Sequence, residues 1–270
     1  MTKPKIITVV LILLLSLILR LHNYGLYPQR GATSDEYTYA FLGISLLKDH
    51  VPVSWSVFPA YKNIRHVTIR KLYFPIVWPY FDHPPLSGFL TGGLSLLVGQ
   101  DSFEKVDLKT IRLVPIILSI FSSVLVFLIA LHLYNYKTAA WALLIYSTTT
   151  MFVINGRIAL SENVLTPIFL LSVYLFTLFE EKISYGKAII FGVLSGLAFW
   201  TKEVGIVVFI SLFYLFKNKG VSIKPFMIFS PLLIASFFKR EKLFRVLSNA
   251  WFYIFIIGNV ILTYNYVHPA

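Results

Sequence analysis

Cysteine is absent from the 270 residues, which excludes a disulfide framework, a thiolate metal site and a thiol nucleophile. Charge is scarce as well. Only 13% of the residues are Asp, Glu, Lys or Arg, against roughly 25% in a soluble domain. Acidic residues are the rarer sign, 12 against 24 Lys and Arg, for a formal net charge of +12. A basic balance of this size could suggest nucleic acid. The Lys and Arg residues, however, stand in short clusters between apolar runs, the pattern set by anionic lipid and the positive-inside rule, so no nucleic-acid partner is expected. What is abundant is apolar: 57% hydrophobic residues, 17% aromatic, mean hydropathy +0.75. A soluble fold could not bury that much, and membrane lipids are the expected surroundings. In a bilayer each span takes roughly 20 residues, which gives this chain room for about eight.

Apolar runs and flanking charges predict an all-α, polytopic transmembrane bundle forming a single domain over residues 1–270. The first span covers 6–24 and runs outward. Lys3 and Lys5 precede it, and Arg20, His22, Asn23 and Tyr24 follow with no small-x-small cleavage site, so it reads as an uncleaved helix and not a secretory signal. A long exterior loop, 25–112, carries Trp, Pro, His and acidic residues. Its short apolar stretches 37–47 and 86–98 are expected as interfacial helices. Spans follow at 113–134, 138–155 and 164–179, with Lys137, Lys182 and Lys187 marking the cytoplasmic side. That choice puts 156–163 on the same side as the long loop. Beyond lie half-length segments 188–201 and 204–216 broken by Lys202 and Glu203, a segment 225–238 that reads as re-entrant or interfacial, a basic cluster at 239–245, and a last apolar run at 251–267. No internal repeat and no low-complexity linker is visible.

Charge beside a membrane is costly, so each such residue is a functional candidate. Ser34, Asp35, Glu36 and Tyr37 offer two consecutive carboxylates that could act as a base, bind metal or simply cap a helix. Asp82 and His83 precede Pro84 and Pro85, which stiffen the backbone and open a helix well, with Asp82 as a possible cap. Arg157 and Glu162 sit in a short turn where they could form an exposed ion pair of little value. Lys202 and Glu203 could neutralise each other, or the lysine could face phosphate. Asp35, Asp82 and Glu162 are placed on one face by the topology. Trp55, Trp78 and Tyr80 suit an interfacial belt, and alternatively sugar or isoprenoid contact.

Four segments in this order, SDEYTYAFLGISLLK, DHPPLSGFL, RIALSENVLTPIFLL and GVLSGLAFWTKEVGI, resemble the membrane glycosyltransferases of the GT-C type. The nearest branch is the protein O-mannosyltransferases and lipid A aminoarabinose transferases, glycosyltransferase family 39-like. The resemblance covers about the first 210 residues. It implies that Asp35, with Glu36 in support, is the catalytic carboxylate and that Glu162 is a second acidic catalytic position. Asp82 and His83 would bind substrate at the lipid phosphate; His83 replaces the lysine of the aminoarabinose branch. A divalent metal, if one is used, would sit there, and no other cofactor is implied. Lys202 matches a lysine after the Gly-rich helix, and with Arg157 or His83 would face phosphate.

The implied reaction moves a hexose, of mannose type, from a polyprenyl-phosphate donor to a protein or lipid/glycan hydroxyl on the exterior face of the cell membrane. Members of the resembling family continue past the position of Ala270, so the chain is expected to be a minimal version or a fragment. Two rivals remain open: an inactive relative acting as a partner subunit, and a transporter or flippase lined by Asp35, Asp82 and Glu162. Against transport, these carboxylates lie at helix ends, whereas transport sites lie near the midplane.

Overall fold

The computed structural model describes residues 2–29, 33, 35–58, 61–69, 72–179 and 184–218. Ser34, Lys182 and the expected segments 225–238, 239–245 and 251–267 lie outside them. The helices follow in the order α1 (Lys3–Leu21), α2 (Asp35–Lys48), α3 (Leu86–Leu97), α4 (Leu108–Ile111), α5 (Leu113–Leu133), α6 (Tyr136–Thr148), α7 (Thr150–Asn155), α8 (Ser161–Leu178), α9 (Tyr185–Thr201) and α10 (Ile206–Asn218). Among the described residues, three stretches are long and apolar enough to cross a membrane: Lys3–Leu21, Leu108–Leu133 and Ser161–Leu178. At about 1.5 Å per residue the first reaches roughly 28 Å, close to the thickness of a hydrocarbon core.

Packing is inside-out relative to a soluble protein. In α1 the large apolar side chains Ile7, Leu11 and Ile18 are exposed, while Ser16 and Arg20 are buried; in α5, Ser119, Ser122 and Ser123 point inward and Ile117 outward. Small polar residues let helix backbones approach, and their hydroxyls are satisfied by backbone carbonyls of their own helix, Ser122 to Leu118 at 2.9 Å and Ser123 to Ser119 at 2.9 Å. At one end of the bundle the Tyr136 hydroxyl donates to the Lys5 carbonyl. At the other end Arg20 reaches Ser119 and Ser147, so α1 and the α6–α7 pair rise together while α5 descends.

The single span expected at 138–155 is broken. Thr149 is extended, with φ −61° and ψ 122°, and separates α6 from α7. The run Ser147 to Thr150 is hydroxylated and largely β-branched, poor helix material whose side chains compete for backbone carbonyls; Thr148 Oγ1 donates to Leu144 O at 2.8 Å. The break frees carbonyls of residues 146 and 147. Arg20 takes both, Nη1 donating to Ser147 O at 3.2 Å and Nη2 to Tyr146 O at 3.3 Å. A buried arginine thus replaces the missing helical hydrogen bonds.

The loop expected at 25–112 is more structured than the sequence suggested. Strands β1 (Ser54–Trp55), β2 (Asn63–Ile69) and β3 (Leu72–Trp78) form an antiparallel sheet in the order β1-β3-β2. The sheet packs on α2 through Leu42, Val77 and Tyr80. Helices α2 and α3, expected as interfacial helices, are parallel neighbours in contact. Gly88 meets Tyr39 and Gly43, Gly92 meets Ala40 and Ile44, and Gly93 meets Leu47. A Cβ on Gly43 would overlap the Gly88 carbonyl, so the seam requires glycine there. This pairing sets the N-termini of α2 and α3 side by side.

Candidate functional site

Adjacent residues on a helix diverge by about 100°, and Asp35 and Glu36 show the consequence. Glu36 turns into the protein and is fully buried. Arg112 grips it with two bonds, Nε to Oε1 at 2.9 Å and Nη2 to Oε2 at 2.8 Å, and the Ala159 amide adds a third at 3.0 Å. The remaining Arg112 nitrogen donates to Tyr24 O at 2.7 Å and Pro28 O at 2.9 Å. This joint ties α2 to the start of α5, to the chain leaving α1 and to the chain entering α8. Glu36, expected beside Asp35 at the reacting centre, has no face open to a substrate.

Asp35 is half-buried at the first turn of α2, with its amide bonded to Thr33 Oγ1 at 3.2 Å. Its carboxylate lies close enough to Tyr39, Tyr80 and His83 to act on the charge of each. Asp82 does not cap α3, whose N-cap is Pro85. Its carboxylate instead accepts from the Tyr61 hydroxyl, with the Ser56 hydroxyl near enough to favour its charged form. Burial is the larger influence and holds the Asp82 carboxyl above the usual carboxylate range. Burial also pushes up the phenols of Tyr39, Tyr61 and Tyr80.

His83 packs its ring against Tyr39, with centroids 5.3 Å apart, and turns Nδ1 toward Glu203 Oε1 at 3.6 Å. That separation is an ion-pair distance and too long for a hydrogen bond. Burial disfavours the imidazolium, but Glu203, Asp35 and Asp82 together outweigh it and hold the imidazole above its ordinary value. Glu162, in the first turn of α8, pairs with Lys202 and accepts from Ser161 Oγ at 3.1 Å. Ser161 Oγ is also 3.1 Å from the Tyr39 hydroxyl, which stitches α8 to α2.

The structure therefore brings Asp35, Asp82, His83, Glu162 and Lys202 to one end of the bundle. It leaves out Glu36 and Arg157. Arg157 makes no pair with Glu162; it is buried and donates to the Leu19 carbonyl at the end of α1. Nor do Lys202 and Glu203 neutralise each other. They separate, one to Glu162 and the other to His83. Glu203 and Tyr39 are the site members that sequence reasoning did not assign. Glu203 stood out in the sequence only as a possible partner of Lys202, and Tyr39 had no sequence signal; the site is visible only in space.

Helices α2, α3 and α8 all begin at this cluster, so the positive ends of their dipoles face it together with Lys202 and His83. Among the described residues no three His, Asp or Glu side chains are grouped to hold a metal ion, and Asp82 and His83 are already directed to Tyr61 and Glu203. Of the aromatic residues considered for sugar contact, Trp55 packs edge-on against Phe74 and Tyr80 is buried. Trp78 remains half-exposed and lines an open groove of about 680 Å³ with Phe41, Arg65, Ile76 and Phe103.

Two solved structures of the oligosaccharyltransferase of Archaeoglobus fulgidus are similar in fold. The apo form aligns with TM-score 0.53 at 16% identity over 76% of this chain and 24% of that one. The AglB form, in complex with an inhibitory peptide and a dolichol-phosphate, aligns with TM-score 0.55 at 15% identity over 87% of this chain and 28% of that one. The chain thus spans about a quarter of the length of these relatives, and at such identity they establish a GT-C-like fold and no more. No curated protein sequence matches. The match that reaches further covers residues 82–239, from the Asp82–His83 pair past Glu162 on α8 and Lys202 after α9, and by it the chain belongs to the dolichyl-phosphate-mannose-protein mannosyltransferase family.

Proposed function

We propose that the protein is a multi-pass membrane glycosyltransferase that moves a mannose-type hexose from a polyprenyl-phosphate donor to a hydroxyl of a protein or of a lipid or glycan acceptor. The observation that carries this reading is the convergence of Asp35, Asp82, His83, Glu162 and Lys202 from distant stretches of sequence onto the N-termini of α2, α3 and α8. Lys5 and Tyr136 meet at the opposite end of the bundle, where the chain also places Lys137. By the positive-inside rule that end faces the cytoplasm and the cluster faces the exterior. The neighbour solved with a peptide and a dolichol-phosphate supports a donor and an acceptor of these classes.

In the proposed reaction the acceptor oxygen attacks the anomeric carbon and the bond from that carbon to the phosphate oxygen breaks. The Asp35 carboxylate takes the acceptor proton, and the polyprenyl phosphate leaves with the bonding electrons. Lys202 and the three helix N-termini oppose the charge that grows on the phosphate, and His83 binds the donor phosphate. Glu162 orients the acceptor or the base and holds Lys202 until phosphate arrives. Glu36 and Arg157 act at a distance, by fixing α2 and the entry to α8. No step is routed through a metal.

The test uses the purified chain with a polyprenyl-phosphate mannose. Release of polyprenyl phosphate, stimulated by a hydroxyl acceptor, supports the reading, and its absence from a folded chain points to the partner-subunit alternative. Topology is checked in parallel with single cysteines at positions 35, 82 and 162, made simple by the lack of native cysteine. All three should react with an impermeant reagent from outside; protection of position 162 while position 35 reacts removes the shared site.

A further inference from the structure

Lys202 is extended, with φ −159° and ψ 151°, so the side chains of Lys202 and Glu203 leave the backbone in different directions. Lys202 meets Glu162 at the start of α8, and Glu203 meets His83 ahead of α3. Both charges come from the turn between α9 and α10, a 3-10 segment at Glu203–Gly205. A Cβ on Gly205 would overlap the Ala198 carbonyl, so the turn lies directly on the end of α9. His83 Nδ1 is shielded from solvent and makes no hydrogen bond among the described residues. The nearest opposite charge to it is Glu203.

We infer that Glu203 is a positioning residue: from the closely packed α9–α10 turn its carboxylate holds the His83 imidazole against Tyr39, aimed into the cluster, and so governs how tightly the site takes a polyprenyl-phosphate donor. The second half of this statement rests on the functional reading above; the first half does not. The charged neighbours of His83 on its other sides are Asp35 on α2 and Asp82 on its own segment. Asp82 is bonded to Tyr61, and Asp35 is assigned to the acceptor proton. Among the described residues, Glu203 is the carboxylate left to hold the ring. It touches no reacting atom, and its loss should therefore appear in donor affinity and not in the chemical step.

The experiment uses the full chain in micelles with ¹³Cε1-labelled histidine, the His83 resonance being identified by its disappearance in His83→Gln. At fixed pH that resonance should move in Glu203→Gln and return part of the way in Glu203→Asp. The KM for polyprenyl-phosphate mannose should rise about two- to fivefold in Glu203→Gln with kcat little changed, the size expected for a half-exposed ion pair. A His83 resonance unchanged in Glu203→Gln overturns the inference, and so does an unchanged donor KM. If the resonance moves as stated but the unmodified chain neither binds nor turns over the donor, the functional reading falls and the positioning of His83 by Glu203 stands. Should Glu203→Gln not fold, Glu203→Asp alone must still displace the resonance, because the carboxylate is withdrawn by one methylene.

Discussion

The joint around Glu36 and the cluster around Asp35 begin one residue apart and use the same chemistry, carboxylates facing cations, in opposite surroundings. Glu36 and Arg112 are sealed from solvent, bonded bidentately and completed by backbone groups on both sides. Glu162 with Lys202 and His83 with Glu203 are partly exposed, and neither pair is bidentate. A sealed pair has no capacity to exchange partners, since separating it leaves a charge in a low dielectric. A half-exposed pair separates at little cost, and an arriving phosphate or hydroxyl can take the place of a partner. The comparison separates a residue that holds the site together from residues that can work in it.

The largest effect should come from Asp35→Asn. Asparagine caps a helix about as well as aspartate, so stability should change by roughly 1 kcal/mol or less. It cannot accept a proton, so donor turnover should fall by about 10²- to 10⁴-fold. Near-normal turnover would remove Asp35 from the chemistry. Glu36→Gln inverts the pattern. It strands Arg112 without a carboxylate and should cost about 3–5 kcal/mol, seen as a lowered unfolding temperature or loss of folded protein in detergent. A well-folded Glu36→Gln chain with lost turnover would instead place Glu36 at the reacting centre.

Gly43→Ala probes how the two regions are held in register. A methyl group there meets the Gly88 backbone, and pushing α2 from α3 should cost about 1–3 kcal/mol in thermal unfolding. It should also lower turnover, because the same seam carries Asp35 to His83. The smallest structural effect is expected for Lys202→Gln, below about 1 kcal/mol in the same assay. A larger loss would mean that the Lys202 pair belongs with the sealed joint.

Several features were legible in the sequence because they depend on composition and on the sum of many residues. The apolar runs marked α1, α5 and α8 within a few positions of their observed ends. Lys5 and Tyr136 meet at one end of the bundle, and Asp35, Asp82, Glu162 and Lys202 gather at the other. The sheet was missed although Asn63–Ile69 and Leu72–Trp78 are rich in β-branched and aromatic residues. Pro75 in the second run weakened the strand pattern, and pairing across the chain made up for it. The break at Thr149 was hidden for a similar reason. Hydropathy does not register a lost hydrogen bond, and the freed carbonyls are filled by Arg20, 126 and 127 positions away.

Sequence by itself determined the membrane class, the order of the apolar helices and the residues able to carry acid–base chemistry, since these follow from hydropathy, charge and residue type. Tertiary structure alone decided what each charge does. In one dimension Asp35 and Glu36 are equivalent, Arg157 and Lys202 are equally good phosphate ligands, and Lys202 and Glu203 are natural partners for each other. The helical turn of about 100° sends Glu36 inward to Arg112. Burial turns Arg157 to a helix end, and the extended backbone at Lys202 divides the last pair between Glu162 and His83. The strength and role of a charge depend on its distance to others and on the dielectric around it, and both are set only when distant segments pack.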